Sequence, residues 1–458
     1  MAIATVNPAT GATEKTFEAH DAAEVERRIA RAQSAFEELA GTSFDERAGW
    51  TRAAADLLEA DTEDLARIMT TEMGKPIEQA RKEVAKCATA LRFYADHAEE
   101  LLADDMLADP SAVGASVAGA HYQPLGVVLA VMPWNYPMWQ VIRFAAPALM
   151  AGNTGVLKHA SNVPQTALYL DDLFDRAGFP AGAFSTLLIG SKDVEAVIDD
   201  DRVKAVTLTG SEPAGQAVAS RAAHNIKKSV LELGGSDPFV VMPSADLDTA
   251  VEVAVTARTQ NNGQSCIASK RFIVHADVYD AFAEKFVAAM GALTVGDPMD
   301  ESVDVGPVAT EGGRDDLVEL VEDATERGAT ILLGGDVPEG DGWFYPVTVV
   351  ANLPEDARLR LEETFGPVAT LTKVADREEA VRVANETSFG LSSSVWTADE
   401  DEQRYFVENV QAGGVFVNGM TASSPYLPFG GIKRSGYGRE LAAAGIREFC
   451  NLKTVWVA

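Results

Sequence analysis

The stretch "GVVLAVMPWNYPMWQVIRFAAPALMAGNTGVLKHA", residues 126–160, decides the fold. The continuous apolar run at 126–132 predicts a buried strand, and 137–152 predicts a helix because its apolar residues recur at helical spacing. The apolar run at 154–160 predicts a second strand. A strand, a helix and a second strand in this order form a unit whose strands are parallel. The sequence therefore predicts a parallel sheet covered by helices.

The rest of the chain continues this alternation, which favours two closely packed α/β domains without a linker or an internal repeat. Further strands are predicted at 184–190, 203–210, 271–276, 368–374, 391–397 and 413–419, and further helices at 162–178, 211–225, 277–290, 312–327, 376–386 and 401–410. Residues 21–105 are predicted to be helical. Two short segments, 112–123 and 448–457, have strand-like composition.

Length and charge limit the class of protein. The chain has 458 residues, enough for two or three domains, and no apolar run near 18 residues, so no membrane span is expected. The 69 acidic residues exceed the 38 basic ones, giving a net charge of −31. Such a chain repels nucleic acid and anionic membranes. The acids are dispersed, which indicates a solvated surface or, alternatively, adaptation to high salt.

The N-terminus and the cysteines indicate a cytoplasmic protein. The segment "MAIATVNPAT" lacks the basic and apolar regions of a signal peptide. Three scattered cysteines are not a disulfide framework, so we expect them to be reduced. The six histidines show no metal-ligand spacing, and no catalytic metal is expected.

Cys266 lies in a loop suited to a nucleophile. The segment "NNGQSCIASK", 261–270, surrounds it with small and polar residues just before a β-rich run. Such neighbours let a thiol be partly exposed and bring backbone N–H groups close, which favours a thiolate and a developing oxyanion. A buried core residue is the alternative for any single free cysteine.

Two polar residues stand at predicted strand ends. Glu232 follows the residues "SVL" and precedes two glycines, a place where a carboxylate can act as a general base with a raised pKa. Asn135, in "MPWNYP", lies where parallel sheets bind ligands, and its amide can donate to an oxyanion. An ordinary solvated glutamate and a proline-bracketed turn are the alternatives.

The segment "VTLTGSEPAG", 206–215, predicts a phosphate site without an intact G-x-G-x-x-G motif. Gly210, Ser211 and Gly215 lie between a strand and a helix, where backbone N–H groups point at an anion. Lys158 also ends a predicted strand and can reach ribose hydroxyls or a phosphate.

Together these motifs resemble the aldehyde dehydrogenase superfamily, and Cys266 follows Glu232 by 34 residues, a spacing that the family shows. The motifs are, in order, "PWNYP", "GVLKHASNVP", "VTLTGSEPAG", "LELGGSDPFVV", "NNGQSCIASKRFIV", "EETFGPV", "NETSFGLSSSVWT" and "PFGGIKRSGYGRE". The N-terminal "VNPATG" also fits, so the resemblance covers nearly the whole chain.

The resemblance implies a two-step oxidation. The Cys266 thiolate adds to an aldehyde, and the Asn135 side chain and the Cys266 backbone N–H hold the oxyanion. Hydride transfer to nicotinamide leaves a thioester, and Glu232 activates the water that releases the acid. The alternatives are a CoA-acylating enzyme, which would lack the deacylating glutamate, and a non-catalytic structural member, which would have lost the nucleophile.

The resemblance also implies the cofactor contacts, with Glu363 on the nicotinamide ribose and Phe365 beside the ring. They are Trp134, Lys158, Ser161, Gly210, Ser211, Gly215, Leu233, Gly234, Glu363 and Phe365. Ser161 stands three residues after Lys158, where an acidic residue would hold the ribose hydroxyls of NAD and repel a 2′-phosphate. We therefore expect NADP or NAD, with NADP favoured.

Residues 133–164 resemble the succinate-semialdehyde dehydrogenase branch. Arg143, eight residues after Asn135, matches an arginine that binds the substrate carboxylate there, and Tyr136 is expected to bind substrate beside it. Another short aliphatic aldehyde, with Arg143 paired to an acid, is the alternative. Gln260 stands where some of these enzymes carry a second arginine, and Ala268 stands where a redox partner cysteine occurs, so no disulfide switch is expected.

The resemblance implies a Rossmann-type cofactor domain, an α/β catalytic domain and a small β oligomerisation flap. The predicted bounds are 1–107 with 125–234 for the cofactor domain, 235–443 for the catalytic domain, and 108–124 with 444–458 for the flap. A homodimer or homotetramer is expected, because the flap segments would otherwise leave exposed strand edges.

Overall fold

Apolar side chains at helical spacing form four consecutive helices after a short hairpin. The computed structural model describes residues 2–458. This N-terminal part contains β1 (Ile3–Val6), β2 (Thr13–Phe17), α1 (Ala22–Leu39), α2 (Phe44–Ala60), α3 (Thr62–Met73), α4 (Ile77–Leu101) and β3 (Asp105–Met106). Ser43 and Glu46 form a reciprocal cap at the start of α2, which satisfies backbone N–H groups there. The long helix α4 packs against α2 and against α5, the first helix of the next part.

Strands and helices then alternate to the C-terminus. The first run contains β4 (Val117–Pro124), β5 (Val127–Met132), α5 (Trp139–Met150), β6 (Thr154–His159), α6 (Pro164–Arg176), β7 (Phe184–Thr186), α7 (Val194–Asp199), β8 (Val203–Thr209), α8 (Glu212–His224) and β9 (Lys228–Glu232). The second contains β10 (Asp237–Val241), α9 (Leu247–Thr259), β11 (Ser269–His275), α10 (Ala276–Gly291), α11 (Glu311–Glu326), β12 (Thr330–Leu333), β13 (Thr348–Ala351), α12 (Arg358–Leu361), β14 (Val368–Val374), α13 (Arg377–Ala384), β15 (Ser394–Trp396), α14 (Glu400–Asn409) and β16 (Phe416–Val417). The last elements are β17 (Gly436–Tyr437), α15 (Ala442–Glu448) and β18 (Cys450–Val457).

The first large sheet has the strand order β17-β9-β8-β5-β6-β7, and only β17 runs antiparallel. Strands β5 and β8 are neighbours although two strands separate them in sequence. The strand order reverses between them, and ligands bind at the carboxyl ends of strands at such a point. The segments that follow these two strands, 133–138 and 210–211, therefore meet at the same edge of the sheet.

The second large sheet has the order β12-β13-β14-β11-β10-β15-β16, parallel except for β12. Aromatic side chains fill its core: the ring centroids of Phe272 and Phe286 lie 4.7 Å apart, and those of Phe239 and Trp396 lie 5.8 Å apart. This packing fixes β10 and β11, and the loop that carries Cys266 leads directly into β11.

A third, small sheet has the order β18-β4-β3 and is antiparallel. Strand β18 pairs with β4 along its whole length, from Cys450 opposite Pro124 to Val457 opposite Val117. Leu452 and Trp456 are 59% and 54% exposed, so this sheet carries apolar side chains on its surface.

The predicted α/β fold class is confirmed. Strand β14 has the predicted bounds, 368–374, and β5, β6 and α5 lie within their predicted ranges. The prediction at 184–190 is too long: β7 ends at Thr186, because Leu188 exchanges hydrogen bonds with His20 outside the sheet. Among residues 2–458, no helix has the length and apolar character needed to cross a membrane. The domain boundaries stay predictions.

Candidate active site

The loop before Cys266 follows an unusual backbone path. Asn261, Asn262 and Gly263 have φ values of 58°, 58° and 72°, in the left-handed region that asparagine and glycine tolerate best. Side chains hold this path: Asn262 Nδ2 donates to the carbonyl oxygens of Gly74 and Pro307, at 2.7 and 2.9 Å. The buried Arg258 guanidinium donates to the Gly263 carbonyl oxygen at 2.6 Å.

Lys270 holds the chain on the other side of the thiol. This fully buried lysine donates from Nζ to the carbonyl oxygens of Ser265 and Cys266, at 2.9 and 2.7 Å. The backbone of Cys266 is therefore fixed from both directions, as an oriented nucleophile requires.

The Asn135 side chain is oriented by the same loop. Its Nδ2 donates to the Gln264 carbonyl oxygen at 3.1 Å, and its Oδ1 accepts from Gln140 Nε2 at 3.1 Å. An amide nitrogen carries two hydrogens, so the second hydrogen on Asn135 Nδ2 stays free for another acceptor. The arrangement suits an oxyanion that develops beside Cys266.

Two cavities meet at Cys266. The first, of about 500 Å³, is lined by the expected substrate residues Tyr136 and Arg143, and the second, of about 220 Å³, lies at the reversal point of the first sheet. Cys266 and Gln140 line both cavities. A reacting carbon at Cys266 is thus accessible from two separate chambers.

The resting thiol is protonated. The Cys266 side chain is partly exposed to the cavities, yet the surrounding protein raises its pKa to about 12 by desolvation. The positive charges of Arg143 and Lys270 act in the opposite direction. Thiolate formation therefore requires a change in the environment or a base that takes the proton.

Glu232 is a buried carboxyl at the end of β9. It is 2% exposed, and neither side-chain oxygen has a hydrogen-bond partner among residues 2–458. Desolvation raises its pKa to about 8, and the nearby charge of Glu440 adds to this increase. A carboxyl with this pKa can exchange a proton with water at neutral pH, as a general base must.

The positive charge of Arg143 acts on both groups, and it lowers the pKa of Cys266 and of Glu232. Its guanidinium forms an ion pair with the buried Glu440, and Nη2 donates to Thr209 Oγ1 at 3.2 Å. The same guanidinium lies 4.8 Å from the ring centroid of Phe429. Nη1 has no hydrogen-bond partner within residues 2–458. The sequence allowed Arg143 either to bind the substrate or to pair with an acid. In the structure Arg143 pairs with Glu440, and it also lines the first cavity.

The second cavity brings together most of the expected cofactor residues, in addition to Asn135 and Cys266. They are Trp134, Gly210, Ser211, Leu233, Gly234, Glu363 and Phe365. The rings of Trp134 and Phe365 meet edge to face with centroids 5.7 Å apart. Glu363 Oε1 accepts from the Gly235 backbone N–H at 3.0 Å and lies 3.5 Å from Lys270 Nζ.

The residues in and beside this cavity suit a dinucleotide. Ser211 makes no side-chain cap at the start of α8, so backbone N–H groups there remain available to a phosphate. A Cβ at Gly234 would lie 2.3 Å from Glu363 Oε2, which shows how closely the backbone approaches that carboxylate.

Three expected cofactor residues lie outside the cavity wall. Lys158 and Ser161 are at and just beyond the end of β6, beside β5, where Lys158 pairs with Val131. Lys158 forms no ion pair in residues 2–458, and burial lowers its pKa. Gly215 packs under Leu233: a Cβ there would lie 2.7 Å from Leu233 Cδ2.

Several residues of the site were not predicted, among them Lys270, Glu440, Gln140 and Gln264. A lysine four residues after the cysteine and a glutamate ending "SGYGRE" were visible in the sequence. However, no local pattern distinguishes a buried charge from a solvated one, and the partners of Glu440 and Gln264, which are Arg143 and Asn135, come from distant segments.

A parallel sheet with a crevice at its reversal point, joined at one cysteine to a second chamber, is the arrangement expected of a nicotinamide-dependent oxidoreductase. The chain belongs to the aldehyde dehydrogenase family, whose model matches residues 1–455.

Similar proteins cover the whole chain. It is 61% identical to the Mycobacterium tuberculosis protein named succinate-semialdehyde dehydrogenase (NADP(+)) 1 and 59% identical to an aldehyde dehydrogenase of Paenarthrobacter nicotinovorans, in both cases over all of both chains. The crystal structure of succinic semialdehyde dehydrogenase from Streptococcus pyogenes, in complex with NADP+, superimposes with a TM-score of 0.96 at 36% identity and covers 99% of each chain.

Proposed function

We propose that this protein oxidises succinate semialdehyde to succinate with NADP+ as the electron acceptor. The observation that carries the proposal is the first cavity, which ends at the Cys266 thiol and has the Arg143 guanidinium in its wall. The four-carbon substrate has an aldehyde at one end, which would meet the nucleophile, and a carboxylate at the other, which would meet the cation of the same chamber. The full-length similarity to the mycobacterial protein supports the same substrate and cofactor.

Cys266 is the nucleophile in this mechanism. The Cys266 thiol gives its proton to water in the chamber, the resulting thiolate attacks the aldehyde carbon, and the oxyanion receives hydrogen bonds from Asn135 Nδ2 and the Cys266 backbone N–H. Lys270 keeps the loop in place through the Ser265 and Cys266 carbonyl oxygens. The tetrahedral thiohemiacetal then loses a hydride and becomes a thioester on Cys266.

The second cavity and its surroundings hold the cofactor, which when bound accepts the hydride. Glu363 would hold a ribose hydroxyl, Trp134 and Phe365 would border the nicotinamide, and the start of α8 at Ser211 would receive a phosphate. Lys158 and Ser161 would bind the adenosine ribose, and the small Ser161 side chain would leave room for a 2′-phosphate.

Glu232 carries out the hydrolytic half of the reaction. Its carboxylate removes a proton from water, and the hydroxide attacks the thioester carbon, which releases succinate and returns the thiol of Cys266. The absence of hydrogen-bond partners on its oxygens in residues 2–458 leaves it free to take that proton.

Arg143 and Tyr136 bind the substrate in this proposal. Arg143 offers Nη1 to the substrate carboxylate while Nε stays paired with Glu440. A second candidate function is the oxidation of another short aliphatic aldehyde that has no charge. The ion pair favours it, because Glu440 neutralises Arg143. A CoA-acylating enzyme or a non-catalytic member fits less well, since Cys266, Asn135 and Glu232 are all present.

We also propose that the protein is a cytoplasmic homodimer or homotetramer from a high-salt environment. The exposed apolar side chains of the small sheet support assembly through that edge. All three cysteines are free, which suits a reducing compartment. The net charge of −31 supports adaptation to salt.

The test compares succinate semialdehyde with butyraldehyde, which has the same carbon count without the carboxylate, each with NADP+ and NAD+. We expect the highest kcat/KM for succinate semialdehyde with NADP+. Cys266→Ala abolishes turnover and retains cofactor binding. Glu232→Gln gives a burst of about one NADPH per site and then slow turnover, because the thioester accumulates. Equal kcat/KM for the two aldehydes would reject the substrate, and turnover in Cys266→Ala would reject the mechanism.

A further inference from the structure

Lys86 places a positive charge in the first cavity, which Lys75, Lys82 and Arg143 also line. It lies on α4, whose side chains form one wall of the chamber that ends at Cys266. Its Nζ lies 4.2 Å from the ring centroid of Trp139 and donates to Ser423 Oγ at 2.8 Å. The aromatic ring and the hydroxyl hold the ammonium in one position on the wall.

This ammonium has no carboxylate partner among residues 2–458. The neighbouring cations differ, because Lys75 is paired with Glu83 and Arg143 is paired with Glu440. A charged group of a cavity wall without a counter-ion is suited to an anionic ligand.

The hydrogen bonds of Ser423 also favour an anionic ligand. Ser423 Oγ accepts from Lys86 Nζ at 2.8 Å and from Trp139 Nε1 at 3.0 Å, which uses both of its lone pairs. Its own hydrogen is then left to donate. The Lys86 ammonium has further hydrogens as well, so two donors stand side by side and need an acceptor oxygen.

The environment of Lys86 makes a bound anion favourable. Burial lowers the pKa of Lys86 to about 8; Arg143 and Lys75 also lower it, while Cys87 and Glu83 act in the opposite direction. A carboxylate beside the ammonium would favour the protonated form. Gln260, which lines the same chamber, contributes no charge.

We propose that Lys86 determines specificity by binding the substrate carboxylate, as the partly buried cation of this chamber that forms no ion pair with a protein carboxylate. The inference rests on the proposed function and adds to it the group that recognises the anionic end of the substrate. Arg143 shares its charge with Glu440, whereas Lys86 gives its full charge to the ligand.

The experiment measures KM and kcat of wild type, Lys86→Met and Lys86→Arg with succinate semialdehyde and with butyraldehyde. Lys86→Met keeps the length of the side chain and removes the charge. We expect it to raise KM for succinate semialdehyde about tenfold or more, with little change for butyraldehyde. Lys86→Arg should recover much of the loss. The inhibition constant of the product succinate should rise in parallel, which tests binding without turnover.

Lys82→Met is the matched control, since Lys82 is an exposed lysine one turn earlier that lines the same chamber. A screened, exposed charge should affect KM much less. An equal increase in Lys82→Met would mean general electrostatic attraction and would overturn the assignment, as would a preference for succinate semialdehyde that survives in Lys86→Met. A wild type without that preference overturns the proposed substrate together with Lys86, so the two failures are distinguishable.

Discussion

Glu232 has a pKa that depends on two neighbours of opposite charge. Glu440 raises it and Arg143 lowers it, and these two neighbours form an ion pair with each other. Burial remains the largest cause of the raised pKa, and Arg439 also lowers it. Glu440, which contacts neither substrate nor cofactor in our proposal, therefore adjusts how readily the base ionises.

This coupling predicts the pH dependence of the hydrolytic step. Only ionised Glu232 can accept a proton. The rate of hydrolysis should therefore rise about tenfold per pH unit below its pKa of about 8 and level off above it. Glu440→Gln removes a negative neighbour, which lowers the pKa of Glu232 and moves the rise to lower pH. Profiles of kcat against pH measure this effect. Glu408→Gln on the exposed face of α14 is the control, and a Glu440→Gln profile that coincides with it would contradict the coupling.

At the scale of single residues, the sequence predicts the reacting groups better than the residues that hold them in place. Cys266, Glu232 and Asn135 stand in local motifs next to strand ends, where chemistry is expected. Lys86 and Ser423 are separated by 337 residues, and only folding reveals that they bond. Buried charges such as Lys270 have the same local appearance as solvated ones, so their roles depend on the tertiary structure.

At the scale of secondary-structure elements, one short turn positions the nucleophile. The left-handed path from Asn261 to Gly263 links the end of α9 to the nucleophile, and it places Gly263 against another part of the backbone. A Cβ at Gly263 would lie 2.4 Å from the Gly366 carbonyl oxygen, and the φ of +72° disfavours any side chain.

Gly263→Ala should therefore destabilise the fold and displace Cys266. We expect a decrease in the free energy of unfolding of about 1–3 kcal/mol and a clear loss of kcat. Urea unfolding and steady-state kinetics measure the two effects. Gly312→Ala is the control in α11, since no atom lies within 4 Å of a Cβ at that position, and it should be neutral or stabilise by about 0.5–1 kcal/mol. Equal stability of the two variants would show that the turn tolerates a side chain.

The elements themselves follow from the sequence where the apolar runs are long. Strand β5 is buried along most of its length, so its run at 127–132 is unbroken and easy to recognise. Strand β10 and helix α9 were not predicted. The residues before β10, "GGSDP", favour a turn, and α9 combines β-branched residues with weak amphipathic spacing. Tertiary contacts decide both, because α9 packs against α10 and β10 pairs with β11 and β15.

The whole molecule carries more acids than its basic residues can neutralise. Some arginines bridge two carboxylates, as Arg202 does with Glu26 and Asp200. Exposed pairs of this kind contribute little and weaken as salt rises. The 69 acidic residues exceed the 38 basic ones, so repulsion among the unpaired acids should be the larger effect.

The melting temperature should therefore rise with chloride salt. The Debye length falls from about 10 Å at 0.1 M to about 3 Å at 1 M, which screens repulsion between separate acids. Differential scanning calorimetry in NaCl and in KCl measures the effect, and the two salts should act alike if screening is the cause. A flat or falling melting temperature in both would mean that surface ion pairs outweigh the excess charge.

The two cavities that meet at Cys266 would also give the dinucleotide and the aldehyde separate routes to the sulfur. Apart from Cys266 and Gln140, each chamber has its own lining, so in the proposed mechanism a spent dinucleotide would be able to depart while the acyl group remains attached. Its departure would leave space at the thioester for water, and the acid would then leave by the chamber through which the aldehyde came. Release of the dinucleotide would therefore not have to wait for release of the acid, and the lifetime of the acyl group would depend on hydrolysis.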